Sequence, residues 1–110
     1  MTVSYFVFYR GNADDPQGFL DNYKAMHIPI IKRFPGIKEI KLHTPGDSLD
    51  TLPIEPGGFA LVAELVFETT EDLNLALSSP ERAEAREDFK LFPPFHGEVW
   101  HQAMVTERIG

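Results

Sequence analysis

The chain has 110 residues, with 17 acidic against 10 basic side chains, a formal net charge of −7 and no cysteine. This length predicts a single domain over residues 1–110, with no room for separate cofactor and substrate domains. The acidic balance, with basic residues scattered along the chain, argues against nucleic acid and anionic membranes as partners. The absence of cysteine excludes thiol nucleophiles, disulfides and thiolate metal sites.

The chain opens without a basic segment or a long apolar run. We therefore expect no signal peptide and no membrane span, and a cytoplasmic location.

The first half of the chain predicts two strands and one helix. Residues 3–9 are almost all β-branched or aromatic, as in a central strand that is covered on both faces. A helix over about 16–34 follows, with Asp15 as its cap and a Pro-Gly pair after it. Residues 37–43 alternate between apolar and polar side chains, which indicates a strand with one polar face.

The second half predicts two more strands with helices between them. Residues 59–67 form a second apolar strand, a short helix follows it, and a second helix covers about 80–90. Residues 98–108 form the last strand, whose alternation places Trp100 and His101 on opposite faces.

A long connection over residues 44–58 is rich in Pro, Gly and Asp but also contains three aliphatic side chains. A lid or a dimer arm would bury these side chains, so we expect Leu52 and Ile54 to be substantially buried. The alternative is a solvated insertion whose aliphatic residues are incidental.

The resulting order is β-α-β-β-α-β with the second helix split in two, which is the ferredoxin-like arrangement of an α+β sandwich. Helices on one face of the sheet leave the other face open to water. Because strand 3–9 is apolar on both sides, we expect a second subunit to cover that face in a homodimer.

A histidine lies within the apolar face of the first helix. Phe19, Tyr23, Met26, Ile30 and Phe34 form the apolar stripe, and His27 falls inside it. Pro29 removes a backbone donor, so the helix should kink beside His27 and leave a polar opening. The alternative is a core histidine that is satisfied by one of the freed carbonyls.

Several short motifs occur together along nearly the whole chain. They are the aromatic first strand, His27-Ile28-Pro29 followed by Pro35-Gly36, Leu42-His43, and Ser79-Pro80-Glu81 running to Asp88-Phe89 and Phe92. With these motifs the chain resembles the EthD family of dimeric α+β barrel proteins. The resemblance implies a ligand between helices and sheet, with His27 facing it, but it implies no particular reaction.

His27 and Tyr23 are the leading catalytic candidates. An imidazole in an apolar pocket can move protons to and from a carbon acid without a metal. Tyr23 lies one turn earlier, where its hydroxyl can orient the ring or donate to a substrate oxygen, although an ordinary core tyrosine fits the same spacing.

Two further polar residues have less specific patterns. His43 ends the second strand and is either an acid or base at the pocket mouth or a solvated histidine. Glu64 interrupts an apolar strand and is either a base with a raised pKa, a partner of Lys41 or Arg10, or a residue at the dimer barrel.

The last third of the chain is rich in aromatic side chains. Candidates for the walls of an apolar substrate pocket are Phe89, Phe92, Phe95 and Trp100, together with Glu64. His96 and Glu98 fall on the face opposite His101, so we expect no metal site, and no motif indicates a cofactor.

The sequence therefore predicts a small-molecule enzyme of catabolism or secondary metabolism. We expect cofactor-free proton transfer, as in an isomerase, cyclase or dehydratase, on an apolar oxygenated substrate. The alternatives are an oxidoreductase or oxygenase accessory, as in ethyl tert-butyl ether degradation, and a non-catalytic ligand-binding or stress-response protein.

Overall fold

The computed structural model describes residues 1–110 and contains four strands and three helices. The strands are β1 (Thr2–Ala13), β2 (Ile37–His43), β3 (Phe59–Phe67) and β4 (Phe95–Thr106). Helix α1 joins an α-helical segment (Pro16–Asn22), a π-helical turn (Tyr23–His27) and a last α-helical turn (Ile28–Ile31), and it is followed later by α2 (Thr70–Leu77) and α3 (Pro80–Phe89). None of these helices has the length and apolar character needed to cross a membrane.

The four strands form one antiparallel sheet in the order β2-β3-β1-β4. The aromatic strand β1 is therefore central, as predicted, and pairs with β3 on one side and β4 on the other. The element order and the sheet confirm the predicted ferredoxin-like α+β fold.

Each helix begins where the local sequence predicts it. The caps are side-chain oxygens that accept a backbone N–H three residues on: Asp15 from Gly18 at 3.0 Å, Thr69 from Asp72 at 3.1 Å and Ser79 from Arg82 at 3.2 Å. A proline follows the cap directly in α1 and α3, where its missing N–H costs nothing.

The two faces of the sheet differ in this single chain. The helices cover one face, and the core there includes Tyr9, Leu61, Ala63, Leu65 and Phe67. The opposite face carries side chains that no helix covers, among them Phe6, Phe8, Val62, Val66 and Trp100. The prediction that β1 is covered on both faces therefore holds for only one face in the single chain.

The predicted kink beside Pro29 is a π-helical turn. Here the N–H of Ile28 donates to the carbonyl of Tyr23, five residues earlier, so the turn is wider than an α-helical one. The wider turn brings His27 into the core and points Met26 outward, where it is 56% exposed. The predicted place of Met26 in the apolar stripe is therefore wrong, because the stripe assumed regular α-helical spacing.

Strand β4 begins at Phe95 and ends at Thr106, so the predicted limits of 98 and 108 are shifted. The reason is a pair of opposed glycines, Gly11 and Gly97, through which β1 and β4 stay paired beyond the predicted start. A Cβ on Gly97 would lie 2.0 Å from the carbonyl oxygen of Arg10, so the close approach requires glycine.

The connection over residues 44–58 contains no helix or strand. Leu52 is 65% exposed and Ile54 is 61% exposed, so the prediction that they are substantially buried is wrong for the single chain. The aliphatic side chains Leu49, Leu52 and Ile54 are therefore exposed to solvent in the single subunit.

Candidate active site

A cavity of about 310 Å³ lies between the helices and the sheet. Most of its walls are apolar side chains, including Val7, Ile31, Phe34, Leu65 and Phe89. Its volume is near the lower end of the range of roughly 300–1,000 Å³ that is usual for small-molecule sites. The cavity therefore has the size and character of a site for a small, largely apolar ligand.

His27 lines this cavity and forms a buried pair with Asp88 of α3. The distance from His27 Nδ1 to Asp88 Oδ2 is 2.9 Å, and the two side chains are only 9% and 12% exposed. An ionised carboxylate can only accept a hydrogen bond, so Nδ1–H donates to Asp88. This leaves Nε2 of the neutral ring with its lone pair available to a ligand.

Two aromatic rings hold the imidazole in place. The Phe92 ring meets it edge to face at a centroid distance of 4.8 Å, and the Tyr23 ring lies at 5.0 Å. Burial lowers the pKa of His27, and the Asp88 carboxylate only partly opposes this effect. The ring is thus mainly neutral near pH 7 and can accept a proton.

Tyr23 and Tyr9 form the inner wall beside His27. Tyr23 is 1% exposed and Tyr9 is 2% exposed, with their ring centroids 5.8 Å apart. Burial raises the pKa of both phenols above the usual value, and the neighbouring Tyr9 raises that of Tyr23 further. Both hydroxyls therefore stay protonated, and the hydrogen bond between the two side chains leaves one hydroxyl proton for a ligand.

A polar group lies elsewhere along the same cavity. The Tyr5 hydroxyl is 3.0 Å from Nδ1 of His101, and the Arg82 guanidinium stacks 5.7 Å from the centre of the Tyr5 ring. Arg86 also lines the cavity. Burial lowers the pKa of His101, and the charges of Arg82 and Arg86 lower it further.

The structure brings together some of the residues that the sequence predicted for the site. His27, Tyr23 and Phe89 line the cavity, and Phe92 packs directly against the His27 ring. Phe95 lies behind them, at 5.3 Å from the ring centre of Phe19 in the neighbouring aromatic cluster.

Trp100, His43 and Glu64 lie on the opposite face of the sheet and do not line this cavity. Trp100 packs against Phe59 and under the guanidinium of Arg10. The alternation of sheet residues decides these positions, since each of the three residues is next to one that faces the helices: Val99, Leu42 and Leu65.

Glu64 has two hydrogen-bond donors on that opposite face. Ser4 Oγ donates to it at 2.8 Å and His43 Nε2 at 3.1 Å. Partial burial alone would raise the pKa of Glu64, but these donors and nearby Lys41 together lower it. Glu64 is thus an ionised carboxylate within a hydrogen-bonded group. The alternative from the sequence, a base with a raised pKa, is wrong.

Asp88 and Arg82 are the site residues that the sequence reasoning missed. Both lie on α3, whose charged residues look like those of any solvated helix surface. The available signal was the spacing of Arg82 and Arg86, since residues four apart share a helix face. That face also contains the buried Ala85 and the partly exposed Phe89.

No group of three or more acidic or histidine side chains in the structure has the arrangement of a metal site. The His96 side chain lies on the surface, where its Nε2 donates a hydrogen bond to Asp14 at 2.8 Å.

One curated relative decides the family. It is an uncharacterised 11.0 kDa protein of Rhodococcus erythropolis, encoded between thcB and thcC, and it is 35% identical over 78 residues, which span 71% of this chain and 72% of the relative. The chain belongs to the same family as this Rhodococcus protein. No family model matches the chain.

The predicted resemblance to EthD proteins is confirmed at the level of the fold. The fold is similar to that of a Bacillus halodurans EthD family protein, with a TM-score of 0.78, 21% identity and coverage of 97% of this chain and 100% of the other. It is also similar to a dimeric ferredoxin-like protein of Bacteroides fragilis, with a TM-score of 0.62, 12% identity and 94% coverage of each chain.

Two enzymes share the fold as well. SnoaB, a cofactor-independent oxygenase from Streptomyces nogalater, is 15% identical with a TM-score of 0.67, over 98% of this chain and 95% of its own. A hydroxynitrile lyase from Passiflora edulis is 21% identical with a TM-score of 0.68, over 99% and 97% of the two chains. The fold is therefore one on which small-molecule enzymes occur, with differing chemistry.

Proposed function

We propose that this protein is an enzyme that catalyses cofactor-free proton transfer on a small, largely apolar, oxygenated substrate. The observation that carries the proposal is the buried pair of His27 and Asp88 in the wall of an apolar cavity. The lyase and the oxygenase among the similar folds support an enzyme of this general type.

The geometry gives each residue a role. Nε2 of neutral His27 takes a proton from a carbon next to a substrate carbonyl and returns it at another position. Asp88 acts as a positioning residue, because its carboxylate holds Nδ1–H and stabilises the imidazolium that forms. The Tyr23 hydroxyl donates to the substrate oxygen on which negative charge develops.

The apolar walls of the cavity strengthen these interactions. Water is a poor competitor in a site lined mostly by aliphatic and aromatic side chains, so the charge that develops is met by protein dipoles. The π-helical turn supports the same interpretation, since such turns occur frequently at functional sites.

Isotope exchange tests this proposal. The probes are small cyclic ketones and lactones with an acidic C–H, incubated with the protein in D₂O and followed by ¹H NMR. His27→Gln should reduce the exchange rate by roughly 10²- to 10⁴-fold, while His96→Gln, the control for a surface imidazole, should leave it unchanged. Equal rates in the wild type and His27→Gln would contradict the proposed role.

A second candidate is cofactor-independent oxygenation, which the similarity to SnoaB favours. The same imidazole would then take the proton of a hydroquinone hydroxyl before the substrate reacts with oxygen. Oxygen uptake with small hydroquinones, abolished by His27→Gln and without isotope exchange on the ketones and lactones, would favour this reaction. Ligand binding without either activity would favour a non-catalytic binding protein.

We also propose that the protein is a homodimer. The sheet face opposite the helices bears Phe6, Phe8, Val62 and Trp100, which no helix of the same chain covers. The Bacteroides fragilis protein of similar fold is described as dimeric. A second copy would cover this face and enclose Glu64 with its hydrogen-bond donors.

A further inference from the structure

Arg82 and Arg86 give the cavity a cationic end. They lie one turn apart on α3 and both line the cavity, with Arg82 half-buried and Arg86 exposed. Opposite them, β1 and β4 contribute Tyr5 and His101, which are within hydrogen-bond distance of each other. Two permanent positive charges, a phenol hydroxyl and an imidazole nitrogen thus line one part of a mostly apolar cavity.

Neither arginine has a carboxylate partner in the chain. Three of the four acids of α3 are engaged elsewhere: Glu84 pairs with Arg33, Glu87 with Lys90 and Asp88 with His27. The fourth, Glu81, forms no ion pair with either arginine. With acids in excess by a net charge of −7, two arginines that face a cavity without an acidic partner are unexpected. A guanidinium is suited to a planar carboxylate, which it can bind through two parallel hydrogen bonds.

We propose that Arg82 and Arg86, with His101, bind an anionic group of the substrate, so that the substrate class is a small aromatic or alicyclic carboxylate or a comparable organic anion. This inference rests on the proposed function and adds the substrate class to it. The apolar walls contact the ring of the substrate, and the arginines determine the orientation in which the substrate binds.

The two ends of the cavity are separated along the elements that form it. Arg82 and Asp88 are six residues apart on α3, a rise of about 9 Å along the helix. Tyr5 and Tyr9 are four residues apart on the same face of β1, about 13 Å along the strand. A bound anion at Arg82 therefore places the other end of a bicyclic molecule beside Tyr23 and His27.

Binding of two matched probes tests the inference. These are 2-naphthoate and the uncharged 2-naphthamide, measured by calorimetry on the full chain at low salt. The wild type should bind the carboxylate more tightly than the amide, and added salt should weaken only carboxylate binding. Arg82→Gln and Arg86→Gln should each lower the affinity for naphthoate by roughly 10-fold or more and leave that for naphthamide nearly unchanged.

Lys90→Gln is the matched control. It removes the same charge close to the end of α3 from an exposed side chain whose partner is Glu87, and it should leave naphthoate binding unchanged. An equal loss for both probes in the arginine variants would overturn the inference, because the arginines would then only shape the cavity. Equal wild-type affinity for the two probes, or inorganic phosphate binding as tightly as naphthoate, would also overturn it.

These outcomes are separable from those of the proposed function. His27→Gln should change the affinities for naphthoate and naphthamide equally, since His27 meets the uncharged end of both probes. Loss of isotope exchange on neutral ketones in His27→Gln, combined with unchanged naphthoate affinity in the arginine variants, would uphold the reaction and reject the substrate class.

Discussion

His27 is a buried histidine that the fold keeps mainly uncharged. Its pKa is lowered by burial, with Asp88 opposing the effect only in part. Below the unfolded-state pKa of about 6.5, the unfolded chain therefore binds more protons at this position than the folded chain does. The free energy of unfolding should consequently fall as the pH is lowered through and below that value.

Urea unfolding at several pH values between about 7.5 and 5 checks this prediction. His27→Gln removes the titrating group, so the stability difference between wild type and variant should shrink as the pH falls. The slope contributed by His101, whose pKa is also lowered by burial, remains in both proteins. If the two stability curves run parallel, or if the exposed His96→Gln variant shows the same change in slope, the interpretation of His27 is wrong.

The π-helical turn is the feature that matters at the scale of the element. Pro29 has no N–H to give to the preceding turn, and its ring crowds the carbonyl four residues earlier. The chain accommodates this with a wider turn, which brings His27 and Ile31 inside and leaves Pro29 itself exposed. The orientation of His27 toward Asp88 thus depends on a proline that does not line the cavity.

Pro29→Ala should allow the turn to become α-helical and move His27 away from Asp88. A hydrogen bond to a charged group contributes about 1.5–3 kcal/mol, so the Nδ1 proton should exchange with solvent roughly 10-fold faster or more. NMR of the imidazole protons measures this rate. Pro35→Ala, beyond the end of α1, is the control. An equally protected Nδ1 proton in Pro29→Ala would show that packing alone maintains the turn.

At the scale of the whole molecule, the uncovered sheet face predicts the assembly. Phe6 is partly exposed in the middle of this face, so Phe6→Asp places a charge where a second subunit would pack. Light scattering at micromolar concentration should give a dimer for the wild type and a monomer for this variant.

Leu75→Asp is the control, since Leu75 is 65% exposed on α2 and away from the sheet. It should remain dimeric. Circular dichroism would verify that Phe6→Asp is folded. A wild-type monomer at these concentrations would refute the proposed dimer and leave the apolar face for another partner.

Local chemistry along the chain was sufficient to predict most of the elements. Capping side chains and prolines marked the helix starts. Alternation gave strand 37–43 and an apolar run gave strand 59–67, both with the limits that the structure has. These features depend on residues within one or two turns of each other, so the sequence by itself determined the fold class and the polar face of strand 37–43. It did not determine which face of the apolar strand β1 the helices cover. The same local signals placed His27 on the inner side of its helix.

Only the tertiary structure decided what His27 meets there. Asp88 lies 61 residues away, and no spacing rule relates a residue of α1 to one of α3. The register between two helices follows from how their side chains pack on the sheet, and here a π-helical turn changes that register by one position. Likewise, Arg82 and Arg86 look like solvated surface residues until the fold places their face over a cavity, because helical spacing defines a face but not what lies opposite it.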